Sequence, residues 1–278
     1  MFQGRKLLIA TKHKKENVIA PIFEKELGVR CFVSDEFDTD TLGTFSGEIE
    51  RKDDALTTVR NKCLLAMEAS NCDLGIASEG SFGMHPTIFF AHADDEFLIF
   101  IDIKNGLEII VREISTNTNF NGSEIKNEVA LLEFADKVNF PSHGIVLKPS
   151  EKNFSKVIKG ISDENILKKS FHQIMKEFGK VYAETDMRAH YNPTRMSVIE
   201  TAALKLVKSV QSQCPMCGTP GFVVSHAKSG LPCECCSSAT RSTLSFVYTC
   251  KMCNHTVEKL YPHKKMTEDP EFCDFCNP

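Results

Sequence analysis

The sequence predicts an α/β domain with a mixed central sheet flanked by helices, followed by a small module built on cysteines. Three observations predict it. Short apolar runs alternate with stretches of helical periodicity from about residue 5 to residue 210. Three strand-like runs, 87–91, 96–103 and 107–114, follow one another as a meander, with Lys104-Asn105-Gly106 as a hairpin turn between the last two. Nine of the 12 cysteines lie after residue 210, so the chain is expected to divide into 1–210 and 211–278.

In chain order, Lys6 to Ala10 suits a buried strand. A polar loop with Lys12, Lys14 and Lys15 leads into a helix whose apolar positions are Val18, Ile19, Ile22, Phe23 and Leu27, with Gly28 as its stop. Helix N-terminal amides and lysines both favour an anion there; a solvated helix start fits the same residues. Val29 to Ser34 reads as a second strand and the acidic and glycine-bearing stretch 35–47 as a loop. A helix from about Asp53 to Ser70 would bury Leu56, Val59, Cys63 and Met67, with Arg60 and Lys62 on its other faces.

Leu74 to Ala77 then reads as the end of a strand running into Ser78-Glu79-Gly80-Ser81-Phe82-Gly83, where the two glycines are expected to turn the chain sharply. Ligands of open α/β sheets sit beyond the carboxyl ends of strands. Glu79 therefore stands where a catalytic or metal-binding carboxylate belongs; a loop glutamate on a tight turn is the plainer reading. Beyond the meander come a helix over 123–138, a strand over 145–148 and a helix over 163–178 capped by Ser162 or Asp163. The polar run from Glu184 to Arg195 precedes a last helix beginning near Pro193. Its Arg188, His190 and Arg195, with Glu184 and Asp186, suit an anionic substrate, and equally a salt-bridged surface loop. His85, His143 and His190 are candidate proton acceptors by loop position, a structural role being the plainer reading.

Composition excludes several classes. The formal net charge of −4 gives no general pull toward nucleic acid or an anionic membrane. No apolar run approaches the ~20 residues of a membrane helix. The N-terminus leads into a strand and not into a secretion signal, so a cytoplasmic protein is expected. Cys31, Cys63 and Cys72 sit among apolar neighbours as small core residues.

Three pieces together resemble the inosine/xanthosine triphosphatase-like superfamily, most closely the branch that hydrolyses non-standard purine nucleoside triphosphates. Ile9-Ala10-Thr11-Lys12-His13-Lys14-Lys15-Glu16 is similar to its strand-loop-helix opening, with His13 where the family has asparagine and Glu16 where it has lysine. Gly47-Glu48-Ile49-Glu50-Arg51, then Arg60-Asn61-Lys62, then Asp73 to Gly80, resembles its acidic turn, helix and glutamate-bearing strand end. Asn192-Pro193-Thr194-Arg195 resembles its late segment before the terminal helix. The resemblance implies a fold of that family. It makes Glu79 a metal-binding catalytic carboxylate, with Glu48 or Glu50 as the earlier acid holding Mg²⁺. Thr11, Lys12, His13, Lys15, Lys62, Arg188, His190, Thr194 and Arg195 would meet a phosphate-bearing substrate.

Cys214 and Cys217, Cys233 and Cys236, Cys250 and Cys253, Cys273 and Cys276 form four Cys-x2-Cys pairs. Each pair supplies two thiolates to a tetrahedral ion, so eight cysteines fit two structural zinc ions. Sequential and interleaved pairings both satisfy the spacing; Cys235 is the spare and His255 an alternative ligand. Few apolar residues would otherwise hold the segment together. From residue 211 onward six basic and six acidic side chains balance, which favours a structural, self-associating or protein-docking role over nucleic-acid binding. A late polar run joined to a cysteine-rich tail also resembles a bacterial family to which no activity attaches. The expected function is a Mg²⁺-dependent hydrolase of nucleoside triphosphates or related phosphates. The alternatives are a non-catalytic nucleotide-binding or protein-interaction protein and a zinc-ribbon protein associated with RNA.

Overall fold

A computed structural model describes residues 1–38 and 51–278. Glu48 and Glu50 lie outside the described residues. The chain divides into two units, Met1–Val207 and Lys208–Pro278. No described helix is long and apolar enough to cross a membrane.

The first unit is a mixed α/β domain. Its larger sheet has the order β2-β1-β3-β4-β5, formed by β1 (Lys6–Ala10), β2 (Arg30–Phe32), β3 (Leu74–Met84), β4 (His92–Asp102) and β5 (Leu107–Ser115). β1 runs parallel to β2 and β3, whereas β4 is antiparallel to both β3 and β5. The β1–β3 register ends at Ala10 opposite Ala77. The loop after β1 and the continuation of β3 from Ser78 therefore leave the pairing side by side. Helix α1 (Glu16–Leu27) follows β1 and buries Ile19 and Phe23. It ends at Gly28 in the left-handed conformation, where glycine carries no steric penalty.

Helix α2 (Ala55–Ala69) starts at Asp54, whose carboxylate accepts the Leu56 and Thr57 N–H groups at 2.9 and 3.0 Å. Val59, Cys63, Ala66 and Met67 pack it onto the sheet with Ala77, Ile99 and Ile101. Leu56, expected on the inner face, is exposed; it stands in the first turn, before the helix closes on the sheet. Gly75 is needed for that closure: a Cβ there would lie 2.5 Å from Met67 Sδ.

A second, antiparallel sheet has the order β6-β9-β7-β8. Its strands are β6 (Gly122–Ile125), β7 (Ile145–Lys148), β8 (Ile158–Ile161) and β9 (Val181–Thr185). Helices α3 (Glu128–Lys137) and α4 (Glu164–Phe178) supply Leu131, Phe134, Leu167, Phe171 and Ile174 to its core. Asp163 caps α4. Helix α5 (Pro193–Gln211) closes the unit, with Val198, Ile199, Ala202 and Leu206 buried.

Four expectations need correction. Ser78 to Gly83 is no turn: β3 runs straight through it to Met84, paired with β4 along its whole length. Residues 87–91 form the loop between β3 and β4 and not a strand; Thr87 and Ile88 N–H groups donate to His85 Nδ1 there. The helix expected over 123–138 begins at Glu128, because Asn127 caps it and the preceding residues pair with β9. Glu184 and Thr185, taken for the start of a polar loop, end strand β9. Of the three early cysteines, Cys63 is fully buried, whereas Cys31 and Cys72 are half-buried.

The second unit holds an antiparallel sheet of order β10-β11-β12, formed by β10 (Val224–Ser229), β11 (Thr243–Thr249) and β12 (Thr256–Leu260). Its apolar core consists of Cys214, Phe222 and Cys250 with Tyr248 and Val257 against them.

Candidate functional site

A cleft of about 410 Å³ opens at the carboxyl end of β1, beside the stretch of β3 that continues past its pairing with β1. Thr11, Lys12, His13 and Lys15 line it from the loop after β1, Ser78 to Phe82 from β3, Lys62 from α2, and Tyr182 to Arg188 from β9 and its exit. Lys62 lies three residues after Val59 and four before Ala66, so the apolar stripe that fixes α2 also aims this lysine at β3. It donates to Glu79 Oε2 and to the Ser78 carbonyl at 3.2 Å. Arg51 reaches Glu79 Oε1 at 3.4 Å and Ser81 Oγ at 2.9 Å. Glu79 is only 7% exposed. Burial opposes its charge, but Lys62, Lys15 and Arg51 outweigh burial and hold the carboxyl below its usual range.

On the opposite face of β3, Lys15 is 4% exposed and its Nζ lies 2.8 Å from Ser78 Oγ. Burial, aided by Arg195, pulls the Lys15 ammonium down to about 7, with Glu96 and Glu79 opposing. Arg195 itself is turned away from the cleft. Its Nε donates to Glu96 Oε1 at 2.6 Å, it also donates to the Met187 carbonyl, and both ion-pair side chains are fully buried. Gly80 makes room for this pair: a Cβ would stand 2.6 Å from Arg195 Nη2 and closer still to Glu96 Oε1. The glycine read as a turn signal is thus a site of close approach. Asp94, two residues before Glu96, is also buried, and among the described residues neither of its oxygens has a hydrogen-bond partner. Burial and the charge of Glu96 push its carboxyl above the ordinary range.

The structure brings Thr11, Lys12, His13, Lys15, Lys62, Glu79 and Arg188 to one cleft. Lys12 also pairs with Asp38 at 2.6 Å, and Arg188 grips Asp186 through Nε and Nη2. His190, Thr194 and Arg195 do not line it. His190 stacks on His13 with ring centroids 5.3 Å apart, and Thr194 Oγ1 lies 2.9 Å from His143 Nε2. Burial, then Lys15, pushes His13 down to about 3, so it is neutral at pH 7. Sequence reading gave no role to Ser78, Ser81 or Tyr182, nor to the buried Asp94 and Glu96. The two acids carried a usable signal: they share a strand face with Leu98 and Phe100, inside an apolar run.

In the second unit, Cys214, Cys217, Cys250 and Cys253 bring their sulfurs within 4.8 Å of one another, as do Cys233, Cys236, Cys273 and Cys276. The pairing is interleaved: first pair with third, second with fourth. A tetrahedral ion with Zn–S bonds of about 2.3 Å requires sulfurs about 3.8 Å apart. The separations Cys214–Cys253, Cys217–Cys250, Cys233–Cys276 and Cys236–Cys273 are 3.7, 3.6, 3.9 and 3.7 Å. The four knuckles share one backbone form. The N–H groups of Gly218, Ser237, Asn254 and Asn277 donate to the carbonyls of Cys214, Cys233, Cys250 and Cys273 at 2.8 to 3.0 Å. Hydroxyls of Thr219 and Ser238 lower the Cys217 and Cys236 thiols toward the thiolate form that binds metal. Cys235 and His255 belong to neither group.

No curated protein matches the chain. A crystal structure of protein VC0702 from Vibrio cholerae aligns over 74% of this chain and 94% of that one, at 9% identity and a TM-score of 0.30. A likeness that loose says nothing about the fold. The family model described as "Domain of unknown function (DUF6671)" matches residues 62–278, well over half of the sequence, and the chain belongs to that family.

Proposed function

We propose that the first unit binds and hydrolyses nucleoside triphosphates or related phosphates. The observation that carries this reading is the gathering of Lys62 and Arg51 around Glu79, with Lys15 on the other face of β3, in one cleft beside the end of β1. Phosphate hydrolysis is mainly a matter of positioning and charge neutralisation, and this cleft holds cations from three different segments. The motif order resembling the inosine/xanthosine triphosphatase-like superfamily supports the same substrate class. Mg²⁺ fits Glu79 poorly, because both its oxygens are already engaged by Lys62 and Arg51; of the cleft's other carboxylates, Glu184 and Asp186 are held by Lys148 and Arg188, which leaves Glu151. The cationic side chains therefore carry the neutralisation.

The second reading, a protein that binds a nucleotide without turning it over, is favoured by that same engagement of Glu79. Screening the purified full chain against inosine, xanthosine and ordinary nucleoside triphosphates, with and without Mg²⁺, tests both. Release of phosphate or pyrophosphate supports hydrolysis. Tight binding without release selects the second reading, and neither binding nor release overturns both. For the second unit we propose two structural zinc ions in the interleaved tetrads. With every corner filled by thiolate, each ion would hold the knuckles together and leave no open position for catalysis. The neutral charge of this unit fits protein docking or self-association; an RNA-associated role would show as a salt-dependent mobility shift.

A further inference from the structure

We propose that Ser78 and Lys15 form a nucleophile and base pair, with Ser78 Oγ attacking phosphorus in a phosphate held in the cleft. The proposal rests on the phosphate reading above for its substrate, and on geometry for the pair itself. Ser78 Oγ and Lys15 Nζ are 2.8 Å apart, both side chains line the cleft, and both are almost completely buried. A serine hydroxyl is a weak nucleophile until a neighbouring group takes its proton. A buried lysine in its neutral form serves that purpose, and among the described residues Lys15 Nζ hydrogen-bonds with the hydroxyl it would activate.

The surroundings fit. The groups that bear on Lys15 are Arg195 from α5, Glu96 and Asp94 from β4, Lys62 from α2, Glu79 from β3 and His13 from its own loop. Glu96 Oε1 holds Arg195, and Glu79 holds Lys62 and Arg51, whereas Asp94 and Glu96 Oε2 have no hydrogen-bond partner among the described residues. Burial dominates and keeps part of the Lys15 population neutral near pH 7. Lys62 donates to the Ser78 carbonyl and Arg51 to the Ser81 hydroxyl, which places two cations on the residues next to the pair.

The step balances without a co-reactant beyond water. The Oγ–P bond forms as the bond from phosphorus to the leaving oxygen breaks. The hydroxyl proton passes to Lys15 Nζ and from there to the leaving oxygen. Water then attacks the phosphoserine, Lys15 takes the water proton and returns it to Oγ, and phosphate departs. Electrons are neither gained nor lost.

The test uses the full chain and diisopropyl fluorophosphate, a probe that needs no knowledge of the native substrate. The expected result is one adduct on the Ser78 peptide by mass spectrometry, formed faster as pH rises from 6 to 8. Ser78→Ala gives no adduct. Lys15→Met, shown to be folded by its thermal melt, slows labelling by about 10²-fold, the lower range for a lost general base. Lys15→Arg does not restore it, since arginine stays protonated. Absence of the adduct from the folded wild type, or equal labelling of Lys15→Met, overturns the pair. Phosphate release that survives in Ser78→Ala also overturns it and leaves the hydrolase reading standing. Labelling without release of phosphate from any nucleotide upholds the pair and removes only that reading.

Discussion

Arg195 Nε and Glu96 Oε1 lie 2.6 Å apart on neighbouring elements, α5 and β4, and neither side chain has any exposure. The pair fills the space left by the missing side chain of Gly80. It lies behind β3, on the face opposite Glu79, and so shapes the cleft without entering it.

Breaking that pair from one side leaves a buried charge without its counterpart, which costs about 3–5 kcal/mol. Glu96→Gln and Arg195→Met are each expected to lose stability of that order in urea unfolding. The double Met variant is expected to recover a large part of the loss, because two apolar side chains replace two desolvated charges.

In the cleft, Glu79 sets the positions of Lys62 and Arg51 through its two oxygens. Glu79→Gln removes the charge and keeps the shape. If the chain hydrolyses nucleotides, turnover is expected to fall by about 10²–10³-fold, the loss typical of a removed electrostatic group, with an unchanged circular dichroism spectrum. Lys62→Met is expected to weaken binding of inorganic pyrophosphate, measured by titration calorimetry.

Asp94 gives a pH dependence with a defined sign. Its folded carboxyl titrates above the unfolded value because of burial and the neighbouring Glu96. Over that interval the folded chain binds more protons than the unfolded one, so this residue's contribution falls as pH rises from about 4. Asp94→Asn is therefore expected to melt higher than wild type at pH 8. The difference should shrink toward pH 4, as followed by thermal melts across that range.

Metal stoichiometry separates the two pairings of cysteines. Two zinc ions per chain are expected by elemental analysis. Cys214→Ser with Cys250→Ser strikes one tetrad twice and should leave one zinc. Cys214→Ser with Cys233→Ser strikes both tetrads and should leave none. Sequential pairing would reverse those outcomes.

The sequence by itself determined the α/β class, the helices with strong caps and apolar stripes, and the eight cysteines that form the two tetrads. These are legible because they rest on local spacing: Asp163 before α4, Val59 to Met67 along α2, and two cysteines per knuckle. It marks Glu79 on the expectation of a strand end, which the structure replaces with the middle of β3, and it marks Lys62 through the family resemblance alone. Only the tertiary structure decided that Ser78 to Gly83 continues a strand, that Gly80 clears space for Glu96 and Arg195, and that Arg195 faces away from the cleft. It likewise decided which knuckles share an ion. Those outcomes depend on side chains 99, 63 or 36 positions apart meeting across packed elements, and no periodicity along the chain encodes such encounters.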